Sequence, residues 1–304
     1  MSVNVVWVSG SSGTCLRTED GGATWHALTV PGAERLDFRA VVAFDADTAY
    51  LMSAGPGAQS QVYRTSDGGK HWEHVLSNPD PDGFFDALAF WDRKRGMVLG
   101  DPVAGRFVIL TTENGGRTWQ RQNPPPALKG EGAFAASNSS LVLRREGDRL
   151  EAWFGTGGPD AARVFHSADA GRTWSVATTP VRNDGASAGI FSIAFADAQN
   201  GVAVGGDYSK PDENQHNVAV TSDGGRTWPE PAGARPRGFR SAVAFLPDRR
   251  IWIVTGTSGS DVSSDGGQTW TAFDSGAFNT IGCISGSATW AVGPKGRIGR
   301  LMIR

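Results

Sequence analysis

Only two cysteines, Cys15 and Cys283, occur in 304 residues, and they form no CxxC pair. Redox and zinc motifs built on paired cysteines are therefore excluded. The two sulfurs leave two readings open, separate buried thiols or a disulfide joining chain ends that meet in a ring; the first is preferred. No apolar run approaches the roughly 20 residues that span a bilayer, and the N-terminus has no signal-like apolar stretch. Charge of one sign is also lacking. With 29 basic and 31 acidic residues the formal net charge is −2, which argues against a nucleic-acid binder. The five histidines fall in no HExxH or other zinc spacing, so neither metal nor cofactor is expected. Helical periodicity is missing too: apolar residues recur with period 2, the period of strands.

Glycine (41 residues) and tryptophan (11 residues) are abundant, and much of both belongs to one repeat. Thr18-Glu-Asp-Gly-Gly-Ala-Thr-Trp25 recurs as Thr65-Ser-Asp-Gly-Gly-Lys-His-Trp72, Thr112-Glu-Asn-Gly-Gly-Arg-Thr-Trp119 and Ser167-Ala-Asp-Ala-Gly-Arg-Thr-Trp174. Two further copies are Thr221-Ser-Asp-Gly-Gly-Arg-Thr-Trp228 and Ser263-Ser-Asp-Gly-Gly-Gln-Thr-Trp270. The tryptophans are 47, 47, 55, 54 and 42 residues apart, the spacing of propeller blades. Three other segments keep step. One ends in Ala-Phe, as in Phe38–Phe44, Phe84–Phe90, Gly189–Phe195 and Phe239–Phe245, with looser copies near Phe134 and Ile281. The second carries Trp7, Tyr50, Met97, Trp153, Val202, Trp252 or Trp290, and the third is a short alternation before each box. A fourth strand is expected after each box tryptophan.

Each unit thus reads as four short strands, A to D, separated by turn residues. Counting copies predicts 26 strands in an all-β, seven-bladed β-propeller of four-stranded antiparallel blades, with six blades as the alternative. The blades run approximately over 1–33, 34–79, 80–124, 125–181, 182–232, 233–275 and 276–304 of a single domain. The inventory lacks strand A before Val3 and strand D after Arg304, so ring closure would rest on packing between blades. Alternatively the natural product begins upstream of Met1. A missing leader would favour a periplasmic or secreted location; otherwise the location is cytoplasmic. Closed propellers expose little sheet edge, so a monomer is expected.

The box is read as structural. Its Ser/Thr hydroxyl and Asp carboxylate can accept backbone N–H bonds within the turn, its glycines permit positive φ, and its tryptophan buries a large apolar area. Asp20, Asp67, Asp169, Asp223 and Asp265, with Asn114 in the third copy, recur in six blades, whereas a catalytic group is needed once. The chain resembles the Asp-box (BNR-repeat) propellers, a superfamily that includes sialidases, xyloglucan-degrading glycosidases and sortilin-type receptors. Gly201-Val-Ala-Val-Gly-Gly206 and Trp290-Ala-Val-Gly-Pro-Lys-Gly296 resemble more closely the photosystem II stability/assembly factor-like group. That resemblance covers nearly the whole chain and implies a scaffold that binds a partner protein.

Irregular, charged loops fall between strands D and A and between B and C, at the end opposite the boxes. Function usually resides on such loops. The basic candidates are Arg39, Arg106, Arg163, Arg240, Lys295 and Arg297. The acidic ones are Asp86, Asp101, Glu131, Asp207 and Asp261, with Tyr208 beside Asp207. The functional reading is a recognition surface for a carboxylate or polar peptide, since Arg binds carboxylates bidentately; the bland reading is a solvated rim. Charge reversal at Arg106 or Arg240 is expected to abolish partner capture and leave stability nearly intact. The alternative is a glycoside hydrolase or sialidase-like enzyme acting on a glycan, which needs two carboxylates flanking one bond. Its candidates are Asp86, Asp101, Glu131, Asp207 and Tyr208. The Phe/Tyr-Arg-Ile-Pro signature of sialidases is absent, and a non-catalytic scaffold is preferred. Gly185-Ala-Ser-Ala-Gly189 matches a hydrolase elbow pattern but precedes a strand instead of a helix.

Overall fold

The computed structural model describes residues 3–283 and 288–301; a chain start at Met1 or Ser2 and the end at Arg304 lie outside them. Among the described residues, alternating apolar segments form 25 strands, and the only helical pieces are two three-residue 3-10 turns. The strands make seven antiparallel sheets, each a blade whose strands follow chain order from the axis outward.

Blade 1 holds β1 (Val6–Ser9), β2 (Cys15–Thr18) and β3 (His26–Ala27). Blade 2 holds β4 (Asp37–Ala43), β5 (Ala49–Ala54), β6 (Gln61–Thr65) and β7 (Glu73–Ser77). Blade 3 holds β8 (Phe85–Phe90), β9 (Gly96–Val103), β10 (Arg106–Thr112) and β11 (Gln120–Arg121). Blade 4 holds β12 (Leu141–Glu146), β13 (Arg149–Gly155), β14 (Arg163–Ser167) and β15 (Ser175–Thr178). Blade 5 holds β16 (Ala188–Phe195), β17 (Gly201–Asp207) and β18 (Val218–Thr221). Blade 6 holds β19 (Ala242–Leu246), β20 (Ile251–Gly256), β21 (Gly259–Ser263) and β22 (Thr271–Asp274). Blade 7 holds β23 (Thr280–Cys283), β24 (Thr289–Gly293) and β25 (Arg297–Leu301).

Two expectations from sequence need correction. The fourth strand of blade 5 is not formed, because Trp228 is followed by Pro229-Glu-Pro231. Proline has no N–H to give a ladder, and a single bond from Val220 N–H to Pro229 O remains. The segment near Phe134 is not an inner strand either. Blade 4 begins at Leu141, and residues 132–139 leave the sheet to cross toward other blades.

The repeated corners are built alike. In the fifth, Thr221 Oγ1 accepts Gly225 N–H at 2.9 Å and donates to Asp223 Oδ1 at 2.8 Å. Asp223 Oδ1 accepts the N–H groups of Arg226 and Thr227, and Oδ2 accepts the Thr227 hydroxyl at 2.7 Å. Trp228 folds beneath, its indole N–H donating to Gly225 O at 3.0 Å. Gly225 sits at φ 89°, a region glycine enters without a Cβ clash. In the fourth corner Ala170 takes φ 63° in place of a glycine. Asn114 keeps the pattern, its Oδ1 accepting Thr118 N–H and its amide donating to Thr118 Oγ1.

Each corner docks under the preceding blade. Trp7 lies edge-on to Trp72, Tyr50 donates to Gly115 O at 2.8 Å, and Trp153 donates to Gly224 O at 3.0 Å. A Cβ on Gly171 would come within 2.5 Å of Met97, and one on Gly267 within 2.9 Å of Val202. The ring closes by the same contact. Trp290 of blade 7 lies edge-on to Trp25 of blade 1 (centroids 5.7 Å, 84°), over Gly22, and among the described residues no sheet is shared across the seam.

Burial works against the charge of Asp223, but hydrogen bonds from Thr227, Thr221 and Arg226 outweigh it and hold the carboxyl at about 2. The unfolded value is near 3.9, so this stabilisation is present above pH ~4 and is lost as pH falls toward 2. Asp223→Ala is expected to cost about 1–2 kcal/mol at pH 7 and Asp223→Asn much less. Thermal unfolding followed between pH 2 and pH 7 checks this: the Ala variant loses part of the acid slope, and an unchanged slope would refute the assignment.

Candidate functional site

The inner strands surround a cavity of about 1030 Å³, entered at the end opposite the corners and lined by residues of blades 1 to 7. Phe84, at the start of blade 3, lies on its wall, and Phe134, Phe191, Tyr208 and Phe239 line it as a group. Phe134 stacks on Phe191 (centroids 3.9 Å, 18°), Phe239 meets Phe191 edge-on at 4.7 Å, and Tyr208 does so at 6.1 Å. Phe134 can lie there because Gly157 and Gly189 stand beneath it. A Cβ on Gly157 would reach 2.3 Å from Ala188 O and 2.9 Å from the Phe134 ring.

Residues 132–139 tie the cavity floor to the other blades. Ala133 N–H donates to Asp101 Oδ1 and Arg39 Nη1 donates to Ala135 O. Asn138 exchanges two hydrogen bonds with the Leu88 backbone, and Thr280 donates to Ser137 O. A hydroxyl chain runs from Ser137 through Ser139 to Ser192, which accepts Val243 N–H at 2.9 Å.

Of the candidates named from sequence, Arg39, Asp86, Asp101, Tyr208 and Lys295 come together on this cavity. Arg39 is 46% exposed and bonds Asp37 at 2.8 Å; Lys295 is exposed, and Tyr208 is 55% exposed. The remaining candidates are elsewhere. Glu131 and Arg163 form an ion pair that is 2% and 13% exposed, and Glu131 also accepts the Thr156 hydroxyl and Leu128 N–H. Arg240 and Asp261 are paired at 2.6 Å with both side chains 1% exposed. Arg240 also bonds Ser258 and Phe239 O, so it pins a loop and offers nothing to a ligand. Charge reversal there would leave Asp261 facing a buried like charge, so the expectation of nearly intact stability does not hold for Arg240. Asp207 is buried and accepts the Ser209 N–H and hydroxyl. Arg106 donates to Pro124 O beside a small separate pocket, and Arg297 lies over the Phe278 ring at 5.7 Å. Both cysteines are free thiols, and among the described residues no three His, Cys, Asp or Glu side chains group to hold a metal.

Phe134, Phe191, Phe239 and the serine chain were not singled out from sequence. The phenylalanines read there as core residues of inner strands. Their shared position at the start of those strands, next to the D–A loops, was the available signal.

Asp86 and Asp101 carry the unusual electrostatics. Asp86 is buried with one carboxylate oxygen lacking a partner. Burial first, and then the neighbouring Asp101 charge, push its pKa well above the ordinary range, against the pull of Arg39. Burial pushes Asp101 up to about 6. Such groups bind more protons folded than unfolded, so stability falls as pH rises from about 4 through 6. Asp86→Asn is expected to match or exceed the wild-type Tm at pH 8 and to flatten the decline between pH 5 and 8. A lower Tm at pH 8 would show that the ionised carboxylate is needed.

Seven radial antiparallel blades around a walled axial cavity define a β-propeller. The chain belongs to the DUF6242 β-propeller family, whose model matches residues 2–264. No curated protein matches the sequence. Among solved structures the chain is similar to YCF48 bound to D1 peptide, with TM-score 0.62 and 20% identity over 100% of this chain and 91% of that one. It is similar to YCF48 from Cyanidioschyzon merolae with TM-score 0.61 and 20% identity, over 98% of this chain and 91% of that one. These matches show a shared propeller fold. No helix among the described residues is long and apolar enough to cross a membrane.

Proposed function

We propose that this propeller is a non-catalytic scaffold that holds a protein or peptide partner at the cavity mouth, in the manner of an assembly factor. The observation that carries this reading is the cavity itself: a wall of phenylalanines with the cations Arg39 and Lys295 and the exposed ring of Tyr208 beside it. Aromatic and Arg side chains are what recognition surfaces concentrate, and a cationic mouth suits a carboxylate-bearing segment. The solved YCF48 bound to a D1 peptide supports the reading as the same fold engaged with a peptide.

The hydrolase alternative draws on Asp86 and Asp101, adjacent carboxyls with raised pKa values. Glu131 and Asp207 are already committed to internal partners, which removes two of its four carboxylates. A screen of glycans would favour it if turnover disappeared in Asp101→Ala and Asp86→Ala.

The scaffold reading is tested with Arg39→Glu and Lys295→Glu together. Lys295 is an exposed surface group, whereas Arg39 is half-exposed and also bonds Asp37 and Ala135 O, so the double change is expected to cost about 1–2 kcal/mol. Pull-down from the native organism, with captured proteins identified by mass spectrometry, is expected to lose its specific partner while the protein stays folded and Tm falls by no more than about 5 °C. The same partner recovered at the same yield by both proteins would remove the mouth from the interface.

A further inference from the structure

We propose that Asp86 and Asp101 form a subsite for the ammonium head of a lysine carried by the partner segment. The proposal rests on the scaffold reading and names one side chain that the cavity takes. Five carboxylates are buried among the described residues: Asp86, Glu131, Glu151, Asp207 and Asp261. Glu131 pairs with Arg163, Glu151 with Arg149, Asp207 with Lys210 and Asp261 with Arg240. Asp86 pairs with no cation among the described residues, and neither does Asp101 beside it. Asp86 Oδ2 has no hydrogen-bond partner at all. A buried oxygen left so is costly, and in a native protein it calls for an occupant such as a bound ion.

The chain places this pair on the cavity by construction. β8 carries Asp86 as an extra residue between Phe85 and Ala87, which pair with Gly100 and Leu99 of β9. A bulge of this kind re-aims one side chain. Arg39 of β4 and Phe191 of β16 stand at the matching bulges, and all three residues line the cavity. Arg39, the cation whose charge reaches Asp86, does not close on it. Its Nε donates to Asp37 and its Nη1 to Ala135 O. Asp101 is half-buried and meets the cavity first, its Oδ1 accepting Ala133 N–H at 3.0 Å; Asp86 lies deeper. The residue after Ala133 is Phe134, which begins the aromatic wall by stacking on Phe191. The carboxyl pair thus adjoins an apolar wall in a cavity open at its mouth.

That combination selects the occupant. Unpaired carboxyls call for a cation, and the wall beside them calls for a hydrocarbon stem; lysine supplies both. With Ala133 N–H on Asp101 Oδ1, one oxygen is left on each carboxyl, Asp86 Oδ2 and Asp101 Oδ2. The χ2 torsion of an aspartate is soft, so either oxygen of Asp86 can turn to the head. Single oxygens on separate carboxyls suit the three rotatable donors of an ammonium. A guanidinium fork prefers both oxygens of one carboxylate. Calcium takes six to eight oxygens, and no third His, Cys, Asp or Glu joins the pair among the described residues. Burial raises the proton affinity of both carboxyls, and the strap against Asp101, residues 132–139, carries no charge. An entering ammonium favours the ionised forms, so protons leave as it binds.

The test titrates the intact chain with N-acetyl-Ala-Lys-Ala amide, its norleucine and arginine analogues, and hexylammonium. Binding is read from the NMR shifts of the Gly132 and Ala133 amides, and by calorimetry at pH 6 in two buffers of different ionisation enthalpy. The lysine peptide is expected to saturate in the millimolar range, at least tenfold tighter than the norleucine peptide and threefold tighter than the arginine one. Its ammonium stays charged from pH 5 to 8, so binding should tighten at least fivefold across that range, with protons released at pH 6. Asp101→Asn keeps an oxygen for Ala133 N–H, and Asp86→Asn keeps the fold. Each should weaken binding fivefold or more and reduce the proton release. The proposal is overturned by no saturable shift at tens of millimolar peptide, or by norleucine or arginine binding as well as lysine. Affinity indifferent to pH and to both Asn variants also overturns it. Hexylammonium bound as tightly as the peptide would give the pair to a free amine instead, and calcium displacing the peptide would give it to a metal; either result overturns the lysine subsite. The capture test with Arg39→Glu and Lys295→Glu uses the native partner and leaves this pair intact, so failure of the scaffold reading and failure of the lysine subsite are separately visible.

Discussion

The ring depends on one contact made six times among the described residues: the corner of each of blades 1 to 6 buried beneath the second strand of the neighbouring blade, blade 7 serving as the neighbour of blade 1. The corner is stiff because Ser or Thr, Asp or Asn, and two backbone N–H groups satisfy one another within a few residues, as at Thr221, Asp223 and Gly225. It is adhesive because its glycines let an aromatic or apolar side chain come close, as Trp290 does over Gly22 and Met97 over Gly171. Among the described residues neighbouring sheets exchange only single backbone bonds, such as Phe38 N–H to Gly10 O and Arg240 N–H to Gly205 O, and one isolated bridge at Gly157 and Gly189, so this docking and the apolar faces between blades do most to hold them in register. It also serves as the closing bond. Trp25 and Trp290 do at the seam what Trp72 and Trp7 do within the ring.

That division of labour explains what could be read from the sequence. The corners are local, with hydroxyl, carboxylate, glycines and indole inside eight residues, so their period and the seven-bladed architecture were visible without coordinates. The missing fourth strand of blade 5 was legible too, in Pro229 and Pro231, but the tryptophan before them suggested a strand by analogy with its sisters. Residues 132–139 were misread for a deeper reason. Ala-Phe-Ala-Ala resembles an inner strand, and only contacts with Asp101, Arg39, Leu88 and Thr280, 32 to 143 residues away, pull it across the axis. The charged candidates divide the same way. Arg240 and Asp261 look like rim charges in a sequence, because the wall that buries them comes from other parts of the chain.

The cavity pairs opposing demands. Phenylalanines of blades 4, 5 and 6 keep water from one side, while Asp86 and Asp101 sit close on another, where desolvation favours their neutral forms. Arg39 bridges these regions, bound to Asp37 and to Ala135 O. Their raised pKa values leave a larger share of these carboxyls protonated at a given pH than an exposed aspartate has, and a protonated carboxyl can donate a hydrogen bond where an ionised one only accepts. The polarity of the wall is thereby adjustable without movement of the backbone.

The strap formed by residues 132–139 gives the wheel a tied hub. Its bonds reach blades 2, 3, 5 and 7 from blade 4, and Ser192 carries the chain on to blade 6. A tilt of one spoke therefore pulls on spokes across the axle as well as on its neighbours. The seam between blades 7 and 1, which has no common sheet among the described residues, is held by Trp290 on Trp25 and braced through this hub on the blade 7 side.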